Sequence, residues 1–198
     1  MIHSLKKLLL ACFLLLATNL TVQAQDKSLT IGKSDVLFSK ILNETRNINI
    51  TLPEGYNDDP NAKYPVIYIL DGGMEEDFIH LAGIVRFSSQ SWVNRLPGSI
   101  VVGIENTNRR RDFTFAVTNT DFIEKEGFKK SSFPQYGGSQ HYMDFLEKEL
   151  QPYITKNYRV NEQKTVIGES LAGLMATEIL AKRCLLYTSD AADEGLGV

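Results

Sequence analysis

Between Gln25 and Arg183 the chain has no cysteine; its two, Cys12 and Cys184, lie outside that stretch. That excludes disulfides, a thiolate nucleophile and a thiolate metal site from the stretch, and it suits an exported protein that does without disulfides. Histidine is nearly as scarce, with three in all: His3, His80 and His141. No His-Glu-x-x-His and no His/Asp cluster occurs, so no metal is expected. No G-x-G-x-x-G follows a strand-like run, which removes the dinucleotide fingerprint; no cofactor is expected. The net charge of −3 sets up no basic field for nucleic acid. Internal repeats and low-complexity segments are missing too. The longest apolar run, Leu8–Leu16, falls short of the roughly 20 residues that a stable membrane span needs.

That run belongs to a different device. Lys6 and Lys7 precede it, and Val22-Gln23-Ala24 follows as a small-x-small exit before Gln25. A charged start, a short apolar core and a small-residue exit make residues 1–24 a secretory signal peptide, so the protein is expected in the periplasm or outside the cell. Leu9-Leu10-Ala11-Cys12 is faintly lipoprotein-like, but it sits early, with apolar residues continuing beyond it. At the other end, Cys184–Glu194 resembles the translated end of a sequencing-library adapter, and residues 184–198 are expected to be a non-native tail. The alternative is a divergent natural C-terminus. Residues 25–183 are then expected to be the N-terminal part of a single domain. At 43% hydrophobic and 10% aromatic residues the chain can bury a core.

Within that domain the elements alternate. Asn47–Leu52 reads as a strand with Ile48, Ile50 and Leu52 alternating, followed by a turn-rich loop from Pro53 to Pro60. Val66–Leu70 and Ser99–Ile104 are near-continuous apolar runs, as expected of strands covered on both faces. Asp77–Phe87 can form a helix. A long polar excursion, Glu105–Gly138, follows the second run. Ser139 can then cap a helix to about Ile154, with Tyr142, Phe145, Leu146, Leu150, Tyr153 and Ile154 on one face. Thr165–Ile167 is a last short strand. Strands alternating with helices predict an α/β fold, a mostly parallel sheet with helices on both faces.

The most informative run is Val166-Ile-Gly-Glu-Ser-Leu-Ala-Gly173, which joins that last strand to a helix-prone stretch, Leu171–Arg183. This is the strand–turn–helix setting of a G-x-S-x-G nucleophile elbow, with Ser170 as the nucleophile. Small neighbours are needed because strand and helix nearly touch. Gly168 fits, Ala172 stands where the pattern has its last glycine, and Gly173 follows. Ser170 Oγ would attack an ester carbonyl and form an acyl-enzyme. Leu171 N–H, next after the nucleophile, would donate to the oxyanion. In this arrangement the acid and the histidine follow the serine in the chain. Here all three histidines precede Ser170.

Tyr64–Gly73, Ile100–Ile104 and Gly168–Gly173, in that order and spacing, resemble an esterase family of the α/β-hydrolase fold that includes enterochelin-esterase-like hydrolases, esterase D and the mycolyltransferases. The resemblance spans about residues 40–183. It implies an α/β-hydrolase fold that is incomplete at the C-terminus, because the family's acid and histidine belong to a segment beyond the recognisable sequence. It also implies that the second oxyanion donor is the N–H of Gly73, two residues after the aspartate of Leu-Asp-Gly. A glycine there permits close backbone approach; an ordinary Gly-Gly turn is the alternative. Asp71 would face the pocket and touch substrate, or else cap the following turn.

Asn108-Arg109-Arg110-Arg111-Asp112 follows a buried strand directly, which places it near the carboxyl-end crevice of an open sheet. Arg109, Arg110 or Arg111 could hold an anionic or catecholate substrate through paired hydrogen bonds, although three adjacent arginines cannot all face one way. His80, among Phe78, Ile79, Leu81 and Ala82, reads as a packing residue, and His141 as solvent-facing. Glu75-Glu76-Asp77 reads as acidic residues favoured by a helix start. Two classes of function remain. One is an exported serine esterase acting on a small-molecule ester, such as a siderophore ester or an acylated glycan, with acyl transfer as a variant. The other is a non-catalytic fragment or binding protein of the same fold. The 198-residue chain itself is expected to be inactive and poorly packed, with its elbow strand left at a sheet edge.

Overall fold

A computed structural model describes residues 28–183. The segments expected to be a signal peptide (1–24) and a non-native tail (184–198), and with them His3, lie outside the described residues. The elements are β1 (Lys33–Ser39), β2 (Glu44–Thr51), β3 (Tyr64–Ile69), α1 (Phe78–Ser88), β4 (Ile100–Ile104), α2 (Arg109–Phe113), α3 (Asp121–Lys125), α4 (Ser139–Phe145), α5 (Gln151–Asn157), β5 (Val160–Ile167) and α6 (Leu171–Lys182). A π-turn, Leu146–Leu150, joins α4 to α5.

The five strands form one sheet in the order β1-β2-β4-β3-β5. β3 pairs in parallel with both β4 and β5, whereas β2 pairs antiparallel with β1 and β4. The sheet is more mixed than strict alternation of strand and helix implies, because β1 and β2 form a hairpin. β1 was not anticipated. Two of its apolar side chains, Val36 and Phe38, point outward and are exposed, so its alternation runs against the usual signal. Among the described strands β5 is the outermost, beside β3.

Alternation along β3 and β4 supplies two cores. Val66, Tyr68 and Leu70 with Ile100, Val102 and Ile104 face α4, the π-turn, α5 and α6 through Tyr142, Phe145, Leu150, Met175 and Ile179. Ile67, Ile69 and Val101 face the opposite side and meet Phe78, Ala82 and Val85 of α1. Both strands are thus covered on both faces, which explains their near-continuous apolar sequence. At Gly103 a Cβ would come within 2.5 Å of the Phe78 ring, so glycine is what lets α1 lie close to the sheet.

Two local expectations are corrected. His80 is exposed rather than packed, because Phe78, Ala82 and Val85 define the inward stripe of α1 and His80 falls on the far side. Ser139 does not cap its helix; Gly138 holds the cap position, and Ser139 Oγ donates to Glu178 Oε1 of α6 at 3.0 Å. The helix also runs on past Ile154 to Asn157 through the π-turn. There Glu149 receives Ser39 Oγ–H at 2.5 Å and Lys40 N–H at 2.9 Å, fastening the β1–β2 turn.

Candidate active site

The site begins with a strained turn. Ser170 has φ 55° and ψ −114°, a region that non-glycine residues rarely adopt and that costs of order 1–3 kcal/mol. Two neighbours hold it there. A Cβ on Gly168 would lie 2.4 Å from the carbonyl oxygen of Ala172 and 2.9 Å from its Cβ, so only glycine fits at 168. That missing side chain is what makes room for the methyl of Ala172, which is fully buried. Met175 and Ile179, further along α6, anchor the helix in the main core. The serine itself is left exposed.

Ser170 borders an open cleft of about 300 Å³, lined also by Asp71, Glu76, Asp77, Asn106, Arg109 and Glu169. The ends of β3, β4 and β5 deliver these residues to one place, the carboxyl edge of the parallel strands where ligands bind in such sheets. Arg109 Nε and Nη2 donate to the two oxygens of Asp71 at 2.8 Å each. Arg109 Nη2 also reaches the Glu169 carbonyl oxygen at 3.2 Å, tying the β4 loop to the residue before the serine. The paired bonds to Asp71 raise the guanidinium's pKa above its ordinary value, and Glu76 and Asp77 add to the effect. Asp71 therefore turns its side chain to the cleft rather than to the following turn; its backbone oxygen accepts from Asp77 N–H at 2.9 Å.

Gly73 N–H is occupied. It donates to Glu76 Oε2 at 2.7 Å, and the other Glu76 oxygen accepts from Asn106 Nδ2 at 2.9 Å. Asn106 Nδ2 also donates to Asp71 Oδ1 at 2.6 Å. Glu76 thus belongs to the site and not to the first turn of α1, which carries no acidic residue. Leu171 opens α6, so its N–H is one of the helix donors without an intrahelical acceptor. Glu76, Asn106, Asp77 and Glu169 were not anticipated as site residues. The sequence signal available for Asn106 and Glu169 was position alone: two residues past a strand end, and next to the serine.

The three arginines diverge. Arg109 enters the cleft. Arg110 donates from Nη1 to the Ser132 carbonyl oxygen at 2.5 Å and lies over the Phe133 ring at 4.8 Å. Arg111 turns toward β2, bonding Glu44 Oε1 at 2.7 Å and Asp112 Oδ1 at 2.6 Å, and these carboxylates raise its pKa. Asp112 also pairs with the fully buried Arg46, whose guanidinium stacks on the Tyr142 and Phe145 rings at 5.4 and 5.9 Å. Arg110 and Arg111 therefore lie outside the cleft and fasten the loop that presents Arg109. His141 is exposed on α4, and no histidine lines the cleft among the described residues.

Parallel strands β4-β3-β5, helices on both faces and a strained serine turn between β5 and α6 define an α/β-hydrolase-type esterase fold. The chain belongs to the family described as "Putative esterase", whose profile matches residues 39–191. It is 27% identical over 170 residues to the ferri-bacillibactin esterase BesA of Bacillus subtilis (strain 168), covering 82% of this chain and 58% of that protein. The crystal structure of an IroE-like serine hydrolase from Shewanella oneidensis superposes with a TM-score of 0.72 at 39% identity, covering 79% of this chain and 48% of that one. The BES protein from Bacillus cereus gives 0.69 at 27%, covering 84% and 63%. The chain thus spans about half to three-fifths of the length of these relatives.

Proposed function

We propose that this protein is an exported serine esterase that forms an acyl-enzyme on Ser170. The observation that carries the reading is the serine's position: strained at φ 55°, exposed, and at the rim of the cleft. Strain of this kind persists only where the surroundings enforce it, and it collects at functional sites. In the proposed step, Ser170 Oγ bonds to the ester carbonyl carbon while its proton passes to a base. The carbonyl oxygen becomes an oxyanion, held by Leu171 N–H and Gly73 N–H. Glu76 must leave Gly73 for the second donor to act, since one N–H cannot serve both. Collapse expels the alcohol, and water or a second alcohol then releases the acyl group.

The substrate we favour is a small-molecule ester of the siderophore type, an inference supported by the relative named as a ferri-bacillibactin esterase. An anionic group does not find a waiting cation, because Arg109 is already paired with Asp71. Such a group would have to displace the carboxylate, whereas a neutral hydroxyl of the substrate could donate to Asp71, Glu76 or Asp77. The competing reading, a non-catalytic protein of the same fold, draws on the lack of a histidine in the cleft among the described residues. The deciding experiment uses the full-length product of the chromosomal gene that encodes residues 25–183. It should hydrolyse short p-nitrophenyl esters, and Ser170→Ala should abolish turnover. Activity retained by that variant removes the serine mechanism. Cell fractionation tests export: protein found in the cytosol at full length would overturn it.

A further inference from the structure

One carboxylate of the cleft stands on the N–H that an oxyanion would need. Glu76 Oε2 accepts from Gly73 N–H at 2.7 Å, the length of a bond to a charged acceptor. Glycine at 73 is what admits it: a Cβ there would lie 2.8 Å from that oxygen and 3.0 Å from the carboxyl carbon. The contact is not a helix cap, because Asp77 holds the cap position of α1 and Gly73 lies ahead of it. Nor does the turn depend on it, since the backbone already closes it, Glu76 N–H to the Gly73 carbonyl oxygen at 3.1 Å.

The other oxygen of Glu76 is held independently, accepting from Asn106 Nδ2 at 2.9 Å. Asn106 therefore keeps Glu76 in the cleft after Gly73 N–H has been taken from it. Glu76 is half-buried, so an oxygen left without its donor there costs more than one facing open water. Apart from Ser170, the described residues lining the cleft supply no spare donor in their side chains. Both hydrogens of Asn106 Nδ2 go to Asp71 and Glu76, and Arg109 is spent on Asp71 and the Glu169 carbonyl oxygen. A replacement donor for Glu76 has to arrive with the substrate.

We infer that Glu76 is an internal competitor for the oxyanion hole, and that it selects esters carrying an O–H or N–H donor close to the scissile carbonyl. The inference rests on the serine-esterase reading above, with Gly73 as the second oxyanion donor, and assigns Glu76 the role of a specificity-determining residue. A plain alkyl ester takes Gly73 N–H and leaves the displaced carboxylate unpaired beside a developing negative charge. An ester with a hydroxyl or amide N–H in that place re-pairs the carboxylate as it evicts it. An ether oxygen at the same position accepts only and gives no such relief.

The test compares kcat/KM of the full-length protein on p-nitrophenyl 3-hydroxybutyrate, 3-methylbutyrate and 3-methoxybutyrate, which differ only in one substituent. The hydroxy ester should lead the other two by about tenfold, the worth of a hydrogen bond to a charged group. In Glu76→Ala the methyl ester should speed up and the lead should shrink to about twofold or less. Glu76→Gln should fall between, because a neutral acceptor holds Gly73 N–H about half as strongly. Equal rates on the three esters in the parent, or a fall on all three in both variants with the ratio unchanged, overturns the inference. NMR of the Gly73 amide in Ser170→Ala protein reads the same contact without turnover. Its proton should lie downfield, move upfield in Glu76→Ala, and respond to ethyl 3-hydroxybutyrate at lower concentration than to ethyl 3-methylbutyrate. A signal that Glu76→Ala leaves in place, or an equal response to the two esters, also overturns it. Absence of any turnover with that NMR order intact would count against Ser170 and for Glu76.

Discussion

Two turns meet at the cleft, and they are built on different principles. The serine turn, Gly168–Gly173, is a matter of local sterics: a backbone forced to φ 55° because a helix and a strand nearly touch. The arginine turn, Asn108–Asp112, is ordinary helical backbone, capped by Asn108 accepting from Arg111 N–H at 3.1 Å. What it does is decided by side-chain partners from β2, β3 and the loop around Ser132. At the first turn the strain is concentrated at one residue, the proposed nucleophile Ser170. Charge pairs spread over many residues make a support. Mutations should therefore separate catalysis from stability at the first turn and couple them at the second.

The largest effect is expected at the serine. Ser170→Gly should lower ester turnover by 1,000-fold or more, as loss of a nucleophile does. The same change should raise stability by about 1 kcal/mol, because glycine adopts positive φ without strain. Kinetics with p-nitrophenyl acetate and urea unfolding measure the two together. Equal or lower stability would mean that the turn is not strained in solution.

Next comes Asp112→Ala, which strips a carboxylate from the buried Arg46 and from Arg111. Leaving a buried charge short of its partner costs about 3–5 kcal/mol, so the urea midpoint should fall steeply. Activity of the folded fraction should fall with it as the loop carrying Arg109 loosens. A stability change under 1 kcal/mol would show that Glu44 alone suffices for Arg46.

Arg109→Ala should cost about 10- to 100-fold in kcat/KM, the worth of hydrogen bonds to a charged group at roughly 1.5–3 kcal/mol. Arg110→Ala, whose side chain rests on Ser132 and Phe133, should change it less than threefold. Similar losses in both would dissolve the distinction between the cleft-facing arginine and its neighbours.

The smallest effect concerns acid. Burial pulls the Glu44 pKa up, and bonds from Arg111 and Thr107 more than reverse it, so the folded value lies below the ordinary 4.5. A carboxylate with a depressed folded pKa stabilises above its unfolded pKa, and that contribution is lost as pH falls through the folded value. Stability of the parent should therefore drop below about pH 4.5. Glu44→Gln should start lower and show a shallower drop, measured by urea unfolding from pH 7 to 3.

Much of this molecule was readable in the linear chain where the cause is local. The apolar runs of β3 and β4 mark strands covered on both sides, and the turn around Ser170 announces itself because only small residues tolerate its geometry. Steric requirements act between neighbours, so residues a few positions apart record them. Other features had no local record. The exposed face of His80 depends on which stripe of α1 meets the sheet. The membership of Glu76 and Asn106 in the site depends on two strand ends arriving side by side. The separate fates of Arg109, Arg110 and Arg111 depend on carboxylates 38 and 67 positions away, Asp71 and Glu44. Those pairings belong to tertiary structure, because a charge is satisfied by whatever the fold carries within about 3 Å of it, and chain order does not specify that distance.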